Sequence, residues 1–441
     1  MAVVNNRELV LDMLLVIEKQ EAFSNRLIKD VLNKYDYLSG QEKAFIKRLF
    51  EGTLERQIEL DYDLNQLSSV PVKKMKPLIR NLLRMSAYQI LYMDGVPDAA
   101  AVSEAVKIAS KRKFQNLRGF VNGVLRNLTS QKDTIKSPDE KMEPTLYLSV
   151  VYSMPEWIVQ HFLSIYSYEE TKSLLEGLLK VRPVCIRFSK FLTEQEKKAL
   201  IEAFVLKNVN VHRHPFISDA YYLENSENIA MLPGFMEGRF TIQDASSIAA
   251  VAAADIKAGD LVLDICAAPG GKTMLAAEYV GNTGLVISRD VSEYKVSLIQ
   301  ENLQRMKLQN VKLQVWDARV PDLEMLNQAD VVLADVPCSG LGVIGRKRDI
   351  KYRLTQDGLQ EIVSLQKEIL RQAVTYVKPG GTLLFSTCTI NPDENEKTTE
   401  WILNEFDFIK EKEMQLLPNH EDTDGFYFAK LRRKEHGKKG Y

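Results

Sequence analysis

Two cysteines occupy matching positions in two stretches of the chain. Asp335, Val336, Pro337, Cys338, Ser339 and Gly340 read DVPCSG, and Ser386, Thr387, Cys388 and Thr389 read STCT. Each follows an apolar run that predicts a β-strand, ADVVLADVP (329–337) and GGTLLFSTC (380–388). Neighbouring strands lie ~4.8 Å apart, so cysteines just past two neighbouring strands face one crevice. A thiolate in such a crevice is a nucleophile, provided that positive charge or a helix dipole stabilises it. The four cysteines never stand at C-x-x-C spacing, which argues against both a disulfide framework and structural zinc; no metal is expected. Cys185, inside a strand, packs as a small hydrophobe.

A second motif supplies a ligand pocket. In LDICAAPGGKT (263–273) a strand ends, small residues and two glycines follow, and a helix begins near Thr273. Such a turn, from Cys266 through Ala267, Ala268, Pro269, Gly270 and Gly271 to Lys272, brings backbone N–H groups close to a ligand. It is not a P-loop, because Cys266 stands where the first glycine of G-x-x-x-x-G-K-[ST] is required, and G-x-G-x-x-G is absent. Acids end the next strands. Asp290 is placed to accept from ribose hydroxyls, Asp317 from an adenine amino group, and Lys272 to pair with a carboxylate. An adenosine joined to an amino acid, without phosphates, suits this set. S-adenosylmethionine has that form.

A methyl donor beside a thiol pair defines a reaction. Carbon 5 of cytosine is a poor nucleophile, but addition of a thiolate to carbon 6 makes an enamine that attacks a methyl sulfonium, covalent catalysis that divides one hard step into easier ones. Asp335 is placed to absorb the charge that develops at N3. A base then removes the carbon-5 proton so that the thiol departs, a step in which the second cysteine can assist. Spacing alone leaves open which cysteine attacks. DVPC also differs from the [DN]-P-P-[YF] pattern of amino-group methyltransferases.

Three regions must position these groups. Residues 1–130 read as all helix; Pro77 fits the first position of an apolar, central helix. A polar stretch with two prolines, TSQKDTIKSPDEKMEPT (129–145), reads as a linker. Residues 146–240 alternate short strands with helix, a small α/β domain of ferredoxin- or RRM-like type. Residues 241–441 alternate strands and helices in the rhythm of a doubly wound, Rossmann-like sheet. The chain is thus multidomain, an all-α bundle, a small α/β domain and a C-terminal α/β methyltransferase.

Charge alone does not announce a nucleic-acid binder: over 441 residues the net charge is −1 and the pI about 6.6. RNA contacts must come from local clusters. Lys111, Arg112 and Lys113, with Arg118 and Arg126 along one helix face, form one; by spacing alone it is a solvated face. Arg346, Lys347, Arg348, Lys351 and Arg353, directly after DVPCSGLG, form another, suited to phosphate. The tail RRKEHGKKGY reads as flexible and basic. No long uncharged apolar run suggests a membrane span, and the N-terminus reads as an amphipathic helix and not a signal peptide. A cytoplasmic monomer is expected.

DICAAPGGKT, DVPCSGLG and STCT together resemble the NOL1/NOP2/Sun family of RNA (cytosine-5) methyltransferases. The resemblance implies Cys388 as nucleophile, Cys338 as the group that assists release, and Cys266–Lys272 with Asp290, Asp317 and Asp335 as cofactor or site contacts. YQILYMDGVPDAAAVSEAVKIAS and FVNGVLRNL resemble the NusB-type RNA-binding helical domain, which implies RNA contacts for the Lys111–Arg126 stripe. The fusion is similar to bacterial members that act on 16S ribosomal RNA, naked or in an early assembly intermediate. The chain departs from the family where HPEW is common (Met154 precedes Pro155), where R-x-N is common (Arg187, Phe188, Ser189), and in GRKRDIKYR (345–353). The alternatives are the same chemistry on transfer RNA, or a non-catalytic RNA-binding or antitermination factor; the latter conflicts with the presence of every expected group.

Overall fold

The computed structural model describes residues 5–226, 228–420 and 423–435, so most of the basic tail lies outside the described residues. The chain forms two compact units, residues 1–180 with 344–354, and residues 181–343 with 355–441. These do not follow the boundaries expected from composition. The helices Pro144–Val151, Glu156–Leu163 and Tyr168–Leu179 belong to the first unit, as does the segment that follows DVPCSGLG.

The helical unit is built around Pro77–Tyr92, whose near-continuous apolar pattern buries it among five neighbouring helices. Two of its buried polar side chains, Arg84 and Gln89, find close partners, as burial demands. Arg84 makes two 2.6 Å bonds to Asp61, and Gln89 accepts from Arg7 at 2.6 Å. Gly52 is required opposite: a Cβ there would lie 2.0 Å from the Tyr88 ring.

The second unit holds two sheets. Strands β1 (Val184–Phe188), β2 (Asn210–Arg213), β3 (Tyr221–Glu224) and β4 (Phe240–Ile242) pair antiparallel in the order β2-β3-β1-β4. A helix, Glu194–Val205, joins β1 to β2, but among the described residues between β3 and β4 stands only the short 3-10 turn Ile229–Met231, where a ferredoxin-like unit carries its second helix. Fully buried Arg187 leaves this sheet to bond Gln243 at 3.0 Å and Glu278 at 2.5 Å, the latter on the helix Gly271–Val280.

The large sheet comprises β5 (Leu261–Asp264), β6 (Leu285–Asp290), β7 (Val311–Val315), β8 (Ala329–Asp335), β9 (Val377–Thr387), β10 (Phe408–Leu416) and β11 (Phe426–Arg433), in the order β10-β11-β9-β8-β5-β6-β7. The first five are parallel to one another; β11 runs antiparallel to both β9 and β10. Alternate residues serve opposite faces. Val331, Leu333 and Leu384 pack with Leu275 and Val280, whereas Val332, Leu383 and Phe385 pack with Ile369 and Tyr376. Helices cover both faces of the central strands, which explains why β5, β8 and the second half of β9 are buried almost throughout. Among the described residues no helix is long and apolar enough to cross a membrane, and no cluster suits a metal ion.

Candidate active site

Strands β8 and β9 are parallel neighbours with Asp335 opposite Ser386, so the turns that follow them emerge side by side. Cys338 and Cys388 meet there with their sulfurs 3.2 Å apart, and the Cys388 N–H donates to Cys338 Sγ at 3.3 Å. Both are free thiols and half-buried. The hydrogen bond with Cys388, followed by burial, pushes the Cys338 thiol well above the usual range, so it is held protonated. Gly342 closes the turn: its N–H donates to the Cys388 carbonyl at 3.2 Å, and its carbonyl accepts from Gly425 N at 2.9 Å. A Cβ on Gly342 would lie 1.9 Å from the Gly425 oxygen, so only glycine fits.

Asp335 turns toward the glycine loop. Its Oδ2 accepts from Lys272 Nζ at 2.7 Å and its Oδ1 from Ser386 Oγ at 2.8 Å. Lys272 is 7% exposed, also donates to Ser247 at 3.1 Å, and lies 5.1 Å from the centre of the Phe426 ring. Lys272 and Asp335 thus form a hydrogen-bonded ion pair whose lysine end is buried and whose carboxylate end is partly exposed.

The loop itself is fixed by backbone bonds and a tight turn. Ala267 N donates to Arg289 O at 2.9 Å, and Gly270, at φ +103°, turns the chain into the helix Gly271–Val280. A Cβ on Gly270 would press on Ile299 at 3.0 Å. The Ala268–Pro269 peptide is cis, and Pro269 O accepts from Asn302. Asp290 is buried beneath, accepting from Ala268 N at 2.9 Å and paired with Lys295 at 3.0 Å. Asp317 lies two residues past the end of β7, bonded to Arg319 at 2.7 Å. Burial, followed by the nearby charges of Asp290 and Asp264, drives the Cys266 thiol far above its usual range. Asp264, which the sequence reading passed over, ends β5 fully buried; Thr273 bonds its Oδ2 at 2.7 Å and its Oδ1 has no partner. Burial raises its carboxyl to about 7.

Comparison with known proteins fits this geometry. The family model described as 16S rRNA methyltransferase RsmB/F matches residues 251–432, and the NusB family model matches residues 4–130. The probable ribosomal RNA small subunit methyltransferase B of Bacillus subtilis is 34% identical, covering 97% of this chain and 98% of its own. The chain belongs to the RsmB/F family of rRNA methyltransferases. The Proteus mirabilis ribosomal RNA small subunit methyltransferase B is 32% identical over 90% of this chain and 92% of its own. The crystal structure of PH0851 superposes with a TM-score of 0.81 at 25% identity, covering 98% of this chain and 99% of that one.

Two of the departures from the family pattern fall at buried positions. Met154, where a histidine is common, is fully buried, and its carbonyl accepts from Ser149 at 2.6 Å. Arg187 keeps its place as the buried partner of Glu278, with Ser189 beside it in a turn whose N–H reaches Arg239 O.

Two findings go beyond the motifs. A buried polar network lies behind the thiols: Glu394, fully buried, accepts from Ser339 N at 2.7 Å and Asn391 Nδ2 at 2.9 Å. The one signal of it in the sequence is the turn-forming run NPDEN (391–395), separated from STCT by Ile390. The second finding corrects the expected phosphate contacts at 348, 351 and 353. Arg348 pairs with Glu51 at 3.0 Å and Glu55 at 3.1 Å, and Arg353 with Asp349 while lying over the Phe23 ring. Lys351 is 1% exposed, its ammonium turned to the carbonyls of Glu55 and Ser153. These cations fasten their segment into the helical unit; Arg346 and Lys347 are exposed. In the stripe, Lys111 pairs with Glu8 while staying exposed, Arg112 pairs with Asp12, and Lys113, Arg118 and Arg126 are exposed.

Proposed function

We propose that this protein transfers a methyl group from S-adenosylmethionine to carbon 5 of one cytosine in 16S ribosomal RNA, through a covalent bond between Cys388 and the base. The observation that carries the reading is the pair of thiols at 3.2 Å beside the Lys272–Asp335 ion pair. The cofactor class suits the loop: the glycine turn admits close backbone approach, and buried carboxylates at 264 and 290 disfavour phosphate but suit a cationic, hydroxylated ligand. Gly270, Gly271, Asp290 and Asp317 would hold it, with Asp264 offering its unpartnered oxygen.

In this reading Cys388 sulfur bonds to carbon 6, and the displaced ring electrons move toward N3, where the Lys272–Asp335 pair supplies the compensating proton and charge. When bound, S-adenosylmethionine supplies the methyl group accepted at carbon 5. The carbon-5 proton then passes to Cys338 in its thiolate form, which is favoured once Cys388 is bonded to carbon 6 and the hydrogen bond between the thiols is lost. The C5–H electrons re-form the ring double bond, the sulfur–carbon bond breaks, and the Cys388 thiolate is regenerated. Cys338, in contact with that sulfur, assists this last step. Exposed Lys113, Arg118, Arg126, Arg346 and Lys347 are the proposed RNA contacts. Methyl transfer from labelled S-adenosylmethionine to unmodified 16S RNA and to transfer RNA, with nucleoside analysis, tests the substrate. Label as 5-methylcytidine in 16S RNA supports it; label confined to transfer RNA overturns it.

A further inference from the structure

Glu394 lies outside every motif that carried the reading above, yet it is bonded to both thiol-bearing turns. Its carboxylate is completely buried. Oε2 accepts from the backbone N–H of Ser339, the residue after Cys338, at 2.7 Å, and from Gln366 Nε2 at 3.4 Å. Oε1 accepts from Asn391 at 2.9 Å and from the hydroxyl of Thr389, the residue after Cys388, at 3.5 Å. The two turns are tied directly as well, since Ser339 Oγ and Thr389 Oγ1 are 2.8 Å apart. Gln366 also donates to the Pro337 carbonyl at 3.0 Å, holding the other side of Cys338. A buried carboxylate ringed by four donors is a strong, directional anchor, and nothing about it reaches the crevice.

We infer that Glu394 is a positioning residue that sets Cys338 against Cys388 for release of the methylated base. The inference rests on the proposed covalent mechanism. The asymmetry of the bonds decides which step it serves. Glu394 itself stands in the segment that follows Cys388, and its bonds to Asn391 and Thr389 lie within that segment, whereas the 2.7 Å bond to Ser339 N–H is its direct link to the Cys338 turn. Cys388 is independently fixed, with Thr387 Oγ1 bonded to Asn395 at 2.5 Å and Asn395 Nδ2 to the Thr389 carbonyl at 3.1 Å. Loosening Glu394 therefore shifts Cys338 more than Cys388. Misplacement of a reacting group by ~1 Å costs roughly 100-fold in rate.

The test is pre-steady-state methyl transfer to 16S RNA by the full-length protein, comparing wild type with Glu394→Gln and Gln366→Leu. Denaturing gels quantify protein–RNA adduct in the same samples. The expected result is a first turnover retained, steady-state turnover reduced roughly 100-fold for Glu394→Gln and less for Gln366→Leu, and adduct accumulating in both. Normalising to the first-turnover amplitude removes any difference in folded fraction. Wild-type turnover without adduct overturns the inference. So does loss of first and later turnovers in equal proportion without adduct, which makes the network merely structural. Failure of the underlying reading is distinguishable, because wild type itself would then yield no 5-methylcytidine.

Discussion

The backbone N–H of Cys388 points at the sulfur of Cys338, 3.3 Å away, and the two sulfurs lie 3.2 Å apart. That relationship follows from the parallel pairing of β8 with β9, which places Asp335 across from Ser386 and carries both turns out of the sheet at one level. A pair of thiols in contact has two consequences, one for catalysis and one for oxidation.

Oxidation is the simpler. A peroxide converts one thiol of the pair to a sulfenic acid, and the other displaces water to form a disulfide. Mild peroxide should therefore remove two of the four free thiols measured after denaturation and abolish methyl transfer, with recovery on addition of dithiothreitol. Retention of all four thiols after treatment contradicts this contact.

Lys272 neutralises Asp335 and is held by Ser247 and the Phe426 ring. Replacement by methionine keeps the packing and leaves a carboxylate without its partner. Methyl transfer by Lys272→Met should fall by roughly 100-fold or more, with the protein still folded by circular dichroism. Activity within a few-fold of wild type means that the ion pair has no part in the reaction.

Lys351 makes the helical unit sensitive to pH. Burial lowers its ammonium to about 7, against ~10.4 in the unfolded chain. Between those values the unfolded chain holds a proton that the folded chain has lost, so this group's contribution to stability rises with pH. The cost of the buried charge is fully present below pH 7. Urea denaturation of wild type and Lys351→Met from pH 6 to 10 should show the difference shifting toward wild type above pH 7, by at most ~1.4 kcal/mol per pH unit. A difference constant with pH contradicts the titration.

The site was legible in the sequence to the extent that it depends on strand ends. Apolar runs ending in DVPC and STC place Cys338 and Cys388 past strands, and parallel α/β order makes those strands neighbours. What stayed hidden depends on long-range packing. The basic run at 345–353 reads by composition as phosphate contacts, but the groups that absorb Arg348 and Lys351 are remote in sequence, Glu51 and Glu55 about 300 residues away and the Ser153 carbonyl 198. Residues 144–179 alternate no differently from the small domain that follows, and only their packing assigns them to the helical unit. Glu394 looks like a solvated acid in a turn; its burial is set by Ser339 and Gln366 from other parts of the chain. Strands β10 and β11 were not anticipated, their antiparallel pairing lying beyond the last motif.

The most direct test of the central claim is the fate of the protein–RNA bond in two single variants, Cys388→Ala and Cys338→Ala, incubated with S-adenosylmethionine and unmodified 16S RNA and resolved on denaturing gels. The account predicts no adduct and no 5-methylcytidine from Cys388→Ala. From Cys338→Ala it predicts a stable adduct that carries the methyl group. Methylation by Cys388→Ala, or an adduct formed through Cys338 in that variant, contradicts the assignment of Cys388 as the attacking group.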